Sequence, residues 1–263
     1  MGRMRYYFNL YKGFLATSFA IGTSFRTNFV LLILMDLFFY ASALTTTSFI
    51  FDHVQQIGPW NRSQFLFFVA FMLAVDHLHM TFVSENFWGF SFDLRTGKLD
   101  FDLLRPAGSI FSVFFRDIRA STLFNFPVPW VCLIWFGMKA GMAGLDWILL
   151  PFFVLLAFAL LVALEVLLCM AMFWTVESWG INFLRMQFQQ VSRWPDFVYL
   201  PSARRILTFV FPILMVGSVP VHVLFDHEKW PLLLLMVMAI VVVAALIRFF
   251  WRRGLWHYES ASS

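Results

Sequence analysis

The chain has 263 residues, 61% of them hydrophobic and only 13% charged, where a soluble domain is about half apolar and a quarter charged. That balance excludes a soluble globular protein and points to an all-α integral membrane protein. The formal net charge of +4 is small, and the positions of the bases assign it to membrane topology, so no nucleic-acid partner is expected.

Residues 1–27 mix Tyr, Phe and Leu with Arg3, Arg5 and Lys12, and Tyr7, Leu10, Tyr11, Phe14 and Leu15 share one side at helical spacing. An amino-terminal interfacial helix is expected, lying on membrane lipid before the first crossing. No cleavable signal peptide is expected, and Tyr6 stands where a myristoylation signal carries Ser or Thr. Phe29 to Phe51 is apolar except for Asp36 and a Thr/Ser cluster at 45–48, long enough for a hydrocarbon core that takes about 20 residues. Asp36 is costly there and is expected to pair with a neighbouring arginine near the inner interface.

A short polar loop, 52–63, leads to the second span, Phe65 to Val83. It ends in Asp76-His77-Leu78-His79, with Asp76 and His79 on one helix face at i, i+3. Those side chains are too few for a metal site. They read as polar residues near the inner interface, with a proton relay as the alternative. Residues 85–104 read as a polar loop, and Gly97 to Pro106 is the most polar patch between two apolar blocks. Such a loop cannot lie in lipid, so 85–118 is expected as a cytosolic segment that another protein can grip. Pro106 suits a first helical turn. Ile110, Phe111, Phe114, Phe115 and Ile118 then recur at helical spacing, predicting a short interfacial helix running into a third span, Ala120 to Phe136, kinked at Pro127 and Pro129.

A Gly-rich turn precedes the fourth span, Trp147 to Trp174, which carries Glu165. Glu165 is either a functional group on a transport path or a hydrogen-bonded packing residue. Residues 175–205 hold Glu177, Asn182, Arg185, Gln187, Gln189, Gln190 and Arg193. Hydropathy makes them a cytosolic connector, while shielding by partner helices would allow a polar fifth span ending at Trp194-Pro195. Ile206 to Phe225, broken by Pro212 and Pro220, is correspondingly the fifth span or a pair of re-entrant helices on the outer face. Trp230 to Trp251 is the last span. Arg3, Arg5, Lys12 and Arg26, then Arg95, Lys98, Arg105, Arg116 and Arg119, then Arg248, Arg252 and Arg253 outnumber Arg62, Lys139 and Lys229 on the opposite loops. The bias puts both termini and the central segment in the cytoplasm, with six transmembrane helices between. Cys132 and Cys169 lie inside apolar runs and read as packing residues.

Four stretches carry a family resemblance: Leu99-Asp100-Phe101-Asp102-Leu103-Leu104-Arg105-Pro106; Phe173-Trp174; Trp194-Pro195 followed by Arg204-Arg205, Pro212 and Pro220; and Gly254-Leu255-Trp256-His257-Tyr258-Glu259-Ser260. In order and spacing, from Gly58 to Ser260, the chain resembles bacterial ABC exporter permeases of the type-two superfamily, in their six-span branch. The tail departs in detail: Ser-Ala-Ser stands where Ser-Ala-Gly is usual, and Trp256-His257 where bases are common. The resemblance implies a permease subunit of the bacterial inner membrane that pairs with itself or a sister permease and binds a cytosolic ABC ATPase dimer. It implies that the segment between spans two and three, with Asp100, Asp102, Leu103, Leu104, Arg105 and Pro106, docks on that ATPase. It favours the re-entrant hairpin at 206–225 before the last span. Asp36, Glu165, Asn182, Arg185 and Gln189 are the candidates for a translocation path or dimer interface.

No G-x-x-x-x-G-K-[ST] phosphate loop occurs, so ATP-driven transport requires ATP and magnesium in another chain, and no cofactor is expected in this one. Two other classes compete. A membrane enzyme would use Asp76, His77 and His79, and a secondary transporter would use Asp36 or Glu165 as proton carrier. The first wants a denser cluster of acids and histidines. The second often shows paired internal repeats, and none stands out between the halves.

Overall fold

The computed structural model describes residues 3–175 and 178–258, so Glu177 and the Glu259-Ser260 end lie outside the described residues. Helix α1, Arg3–Ser24, breaks at Phe25 and passes into α2, Arg26–Ile50. A hairpin of β1, Gln56–Ile57, and β2, Trp60–Asn61, turns at Gly58 (φ 57°) and feeds α3, Arg62–Phe82. Asn61 starts α3 with a capping box. Its Oδ1 accepts from the Gln64 N–H at 3.0 Å, and Gln64 Oε1 accepts from the Asn61 N–H at 3.1 Å.

Residues 85–104, expected as a polar loop, are mostly helical: α4, Ser84–Thr96, then α5, Leu99–Leu103. Gly97 between them takes the left-handed conformation (φ 72°) that ends a helix. Polar composition hid an apolar stripe, Phe87, Phe90 and Leu94, at helical spacing. Pro106, expected in a first helical turn, lies instead in the bend after α5. Helix α6, Ser109–Phe114, begins three residues later. The third expected span is two pieces, α7, Thr122–Asn125, and α8, Pro127–Lys139. Pro127 starts the second piece, where its missing N–H costs no helical bond.

Helix α9, Leu145–Cys169, continues through a 3₁₀ turn to Phe173. Helix α10, Trp179–Ser192, carries the polar side chains of the ambiguous region. Beyond it lie α11, Pro201–Phe209, with no buried residue, and α12, Met215–Phe225, buried over nearly its whole length. Helix α13, Pro231–His257, runs six residues past the expected end of the last span. Four helices, α2, α3, α9 with its 3₁₀ extension, and α13 with the turn before it, are long and apolar enough to cross a membrane. The two further expected crossings are not single helices of that length.

Helix α3 is the centre of the bundle. Phe67, Phe68, Ala70 and Phe71 are fully buried in it, and α2, α8, α9 and α12 pack around it. In lipid, burial of apolar surface gives no drive for helices to associate, so close fit and polar contacts must do so. Glycines supply the fit. A methyl group on Gly217 would lie 2.6 Å from Met72 Sδ, and one on Gly254 would run into the Phe173 ring.

Candidate functional site

The central charged segment is braced from beneath. Leu99 and Asp102 of α5 are buried. Arg116 Nη1 donates to Asp102 Oδ2 at 2.7 Å, and its Nη2 reaches Asp93 Oδ2 and Asp117 Oδ2, each at 3.2 Å. Arg105 forms an ion pair with the other oxygen of Asp102 at 3.2 Å. Burial pushes the Asp102 carboxyl above its ordinary range, against the pull of Arg116 and Arg105. Asn86 clamps the far side of the segment. Its amide donates to the Asp117 carbonyl and accepts from the Asp117 N–H, both at 2.8 Å.

The brace reaches three other elements. From α1, the Tyr7 hydroxyl accepts from the Gly108 N–H at 2.8 Å, the Phe14 ring lies under the Arg105 guanidinium, and Ser18 Oγ accepts from the Ile118 N–H at 3.1 Å. From α3, the Thr81 carbonyl accepts from the Arg119 N–H at 2.9 Å. From α13, Trp251 Nε1 donates to Ser109 Oγ at 3.0 Å. Burial first, and then the neighbouring Asp100 carboxyl, push the Tyr258 hydroxyl up from its ordinary value. Two side chains of α5 and its cap turn the other way: Leu104 is 82% exposed and Phe101 70%. Leu103, expected with Leu104 among the residues that dock on the ATPase, is half-buried against the core.

A second polar cluster lies inside the bundle, where α10 crosses α3 and α9. Glu165 is fully buried, bonded through one oxygen to His79 Nε2 and through the other to Arg185 Nη1 at 3.3 Å. The Arg185 guanidinium lies over the Phe87 ring, 4.6 Å from its centre. Gln189 Nε2 donates to Asp76 Oδ1 at 2.9 Å, and Arg193 Nε donates to Asp76 Oδ2 at 2.7 Å. Asn182, Arg185, Gln189 and Arg193 recur every three or four residues and so form one face of α10. The sequence left these side chains to a cytosolic connector, or to shielding by a dimer interface or a translocation path. Within this chain Asn182, Arg185 and Gln189 are already buried, and Glu165 of α9 and Asp76 of α3 offer carboxylates to Arg185 and Gln189.

Asp36 is apart from this cluster. Arg119 Nη2 donates to it at 3.1 Å, tying α2 to the turn before α7. Nearby, the Tyr40 hydroxyl and His77 Nδ1 are hydrogen-bonded at 2.8 Å. His77 and His79, two residues apart in the motif, therefore serve different contacts. No group of three or more metal-ligating side chains occurs among the described residues. Arg116 and Arg193 are the site residues that sequence reasoning passed over. Each looks like one base among several until its distant carboxylate is known.

A family model described as ABC-2 family transporter protein matches residues 28–262. The chain belongs to that family. Membership makes it a multi-pass membrane component of an ABC transporter, of the kind that works with an ABC ATPase. No curated protein and no solved structure matches it.

Proposed function

We propose that this ABC-2 chain is the permease half of an ATP-driven exporter in the bacterial inner membrane, with both termini cytoplasmic. It pairs with a second copy or a sister permease, and two cytosolic ATPase chains hold the ATP and magnesium. Six crossings follow if α7 with α8 forms the third and α10 the fifth, leaving α11 and α12 as an outer re-entrant hairpin. Bases gathered around 95–119 and after Arg248 support that orientation.

The observation that carries the coupling role is the pair of exposed apolar side chains, Phe101 and Leu104, on a short helix whose buried face is locked by Asp102 and Arg116. A greasy knob on a rigid mount fits a groove in a partner, and the bonds to α1, α3 and α13 give force a route into the spans. A cavity of 320 Å³ reaches Asp76 and Arg193 between Phe39, Thr46 and Trp194, and it is the stretch of α2, α3 and α10 that we assign to the translocation path. A proton carrier is less well supported, since Asp36 and Glu165 are each already paired with an arginine.

Leu104→Asp, and separately Arg105→Ala, test the coupling role in membranes carrying the ATPase. Normal permease levels with weakened ATPase retention and lost transport-linked ATP hydrolysis are expected. Wild-type ATPase binding and transport in both variants would show that the segment from Gly97 to Pro106 is not the coupling element.

A further inference from the structure

At the opposite end of the molecule from Leu104, a cavity of 630 Å³ opens between α11, the turn after α10, α12 and the start of α13. The two ends are distinct because Lys229 lies in the turn that leads into α13 and Leu232 in its first turn, while Trp251 near its end meets the charged segment. Arg204, Arg205 and Lys229 line the cavity with one carboxylate among the described residues, Asp196.

That carboxylate is occupied. Asp196 takes an ion pair from Arg204 and a hydrogen bond with His222 Nε2 at 2.8 Å. Burial opposes its ionisation, but His222 and Arg204 outweigh burial and hold the carboxyl below its ordinary range. Lys229 pairs with Asp226 at 3.1 Å. Both are exposed, and such a pair is easily exchanged for another anion. Arg205 has no ion pair or hydrogen bond among the described residues. One turn along α11, Thr208 Oγ1 is buried without a hydrogen-bond partner and lines the same cavity.

Apart from the hydroxyls of Tyr199 and Ser218, the remaining walls are apolar. Phe209, Leu232 and Leu235 carry the cavity onto the outward flank of α13, where Leu234 and Met238 are exposed. An unengaged guanidinium at a membrane boundary, above an apolar groove that runs along a span, has the form of a site for one amphiphile. A guanidinium fork matches two oxygens of a phosphate better than it matches a neutral headgroup.

We propose that this cavity binds an anionic phospholipid, with its phosphate on Arg205, Lys229 at the rim, and an acyl chain along Phe209, Leu232 and Leu235. The inference stands whether or not the chain couples to an ATPase. Free phosphate shares the headgroup chemistry, so the test separates the two. Purified chain in dodecyl maltoside would be given dioleoyl phosphatidylglycerol, dioleoyl phosphatidylcholine or inorganic phosphate, with retention read by native mass spectrometry and protection by thermal unfolding. Phosphatidylglycerol should be retained and protective, phosphatidylcholine retained less, and inorganic phosphate should give no protection. Arg205→Ala should weaken phosphatidylglycerol retention about tenfold, the value of one charge-assisted contact, while Arg205→Lys keeps part of it. Leu235→Trp, which fills the groove without touching a charge, should also weaken it. The proposal fails if phosphatidylcholine is retained equally, if both Arg205→Ala and Leu235→Trp bind phosphatidylglycerol as wild type does, or if inorganic phosphate alone protects as well as the lipid.

Discussion

The Glu165 cluster and the Asp102 cluster are assembled alike, a buried carboxylate between two basic side chains, yet they face different ways. Around Glu165 every charged partner is enclosed, and the bonds join α3, α9 and α10 in the middle of the bundle. Around Asp102 the arginines keep part of their surface in water, and the element they hold turns Phe101 and Leu104 outward. A buried ion pair is weak evidence for stability, because desolvation offsets much of the attraction, but its directional bonds specify which helix meets which. The inner cluster therefore fixes how α10 sits. The outer one fixes the shape of a surface whose contacts are left for something else. If that contrast holds, damage to the first unfolds the bundle, and damage to the second spoils an interface on a folded chain.

The largest expected effect comes from Arg185→Met. It leaves Glu165 with His79 alone in a dry interior, and removing one partner of a buried pair costs roughly 3–5 kcal/mol. Thermal unfolding in detergent should show the loss. Adding Glu165→Gln should recover a good part of it, because the charge left unpaired is gone. If Arg185→Met unfolds at the wild-type temperature, the inner cluster is not what seats α10, and the contrast with Asp102 collapses.

Asp102→Asn should act more gently. The side chain keeps its shape, Arg116 keeps Asp93 and Asp117, and the lost charge-assisted contacts are worth about 1–2 kcal/mol. The same thermal assay reads the stability cost. ATPase retention should fall further than that cost explains, since α5 would no longer hold Phe101 and Leu104 in place. Full retention at a reduced unfolding temperature would make Asp102 a packing residue only.

What the sequence exposed and what it hid follow one rule. Spans α2, α3, α9 and α13 are continuous apolar runs, and their existence needs no knowledge of neighbours. The helicity of 85–104 was hidden because polar residues outnumber the stripe of Phe87, Phe90 and Leu94. The face of α10 was legible as a spacing, Asn182, Arg185, Gln189, Arg193, but not its partners. Asp76 lies more than a hundred residues from Arg193, and hydropathy cannot distinguish shielding by one's own helices from shielding by a second chain. Arg116 and Arg119 look like one basic patch in sequence. In the fold they part, Arg116 to Asp93 and Asp102, Arg119 to Asp36.

The smallest effect is the response to acid, and it locates the Asp102 cluster against the far end of the molecule. Asp102 has its carboxyl pushed above the ordinary value of 3.8, first by burial. Between that raised value and 3.8 the folded chain takes up a proton that the unfolded chain has not yet bound, so through this group acidification adds stability as pH falls across that window. Asp196 is the opposite case. Burial raises its carboxyl, but the His222 bond and Arg204 bring it below 3.8, so its contribution is present above 3.8 and is lost as pH falls through the depressed value. Unfolding temperatures measured as a function of pH on wild type, Asp102→Asn and Asp196→Asn separate the two. Asp102→Asn should remove part of the gain above 3.8 and leave the loss below it, and Asp196→Asn should do the reverse. If Asp102→Asn leaves the gain intact, the carboxyl of Asp102 is ionised throughout, and Arg116 governs it more strongly than burial does.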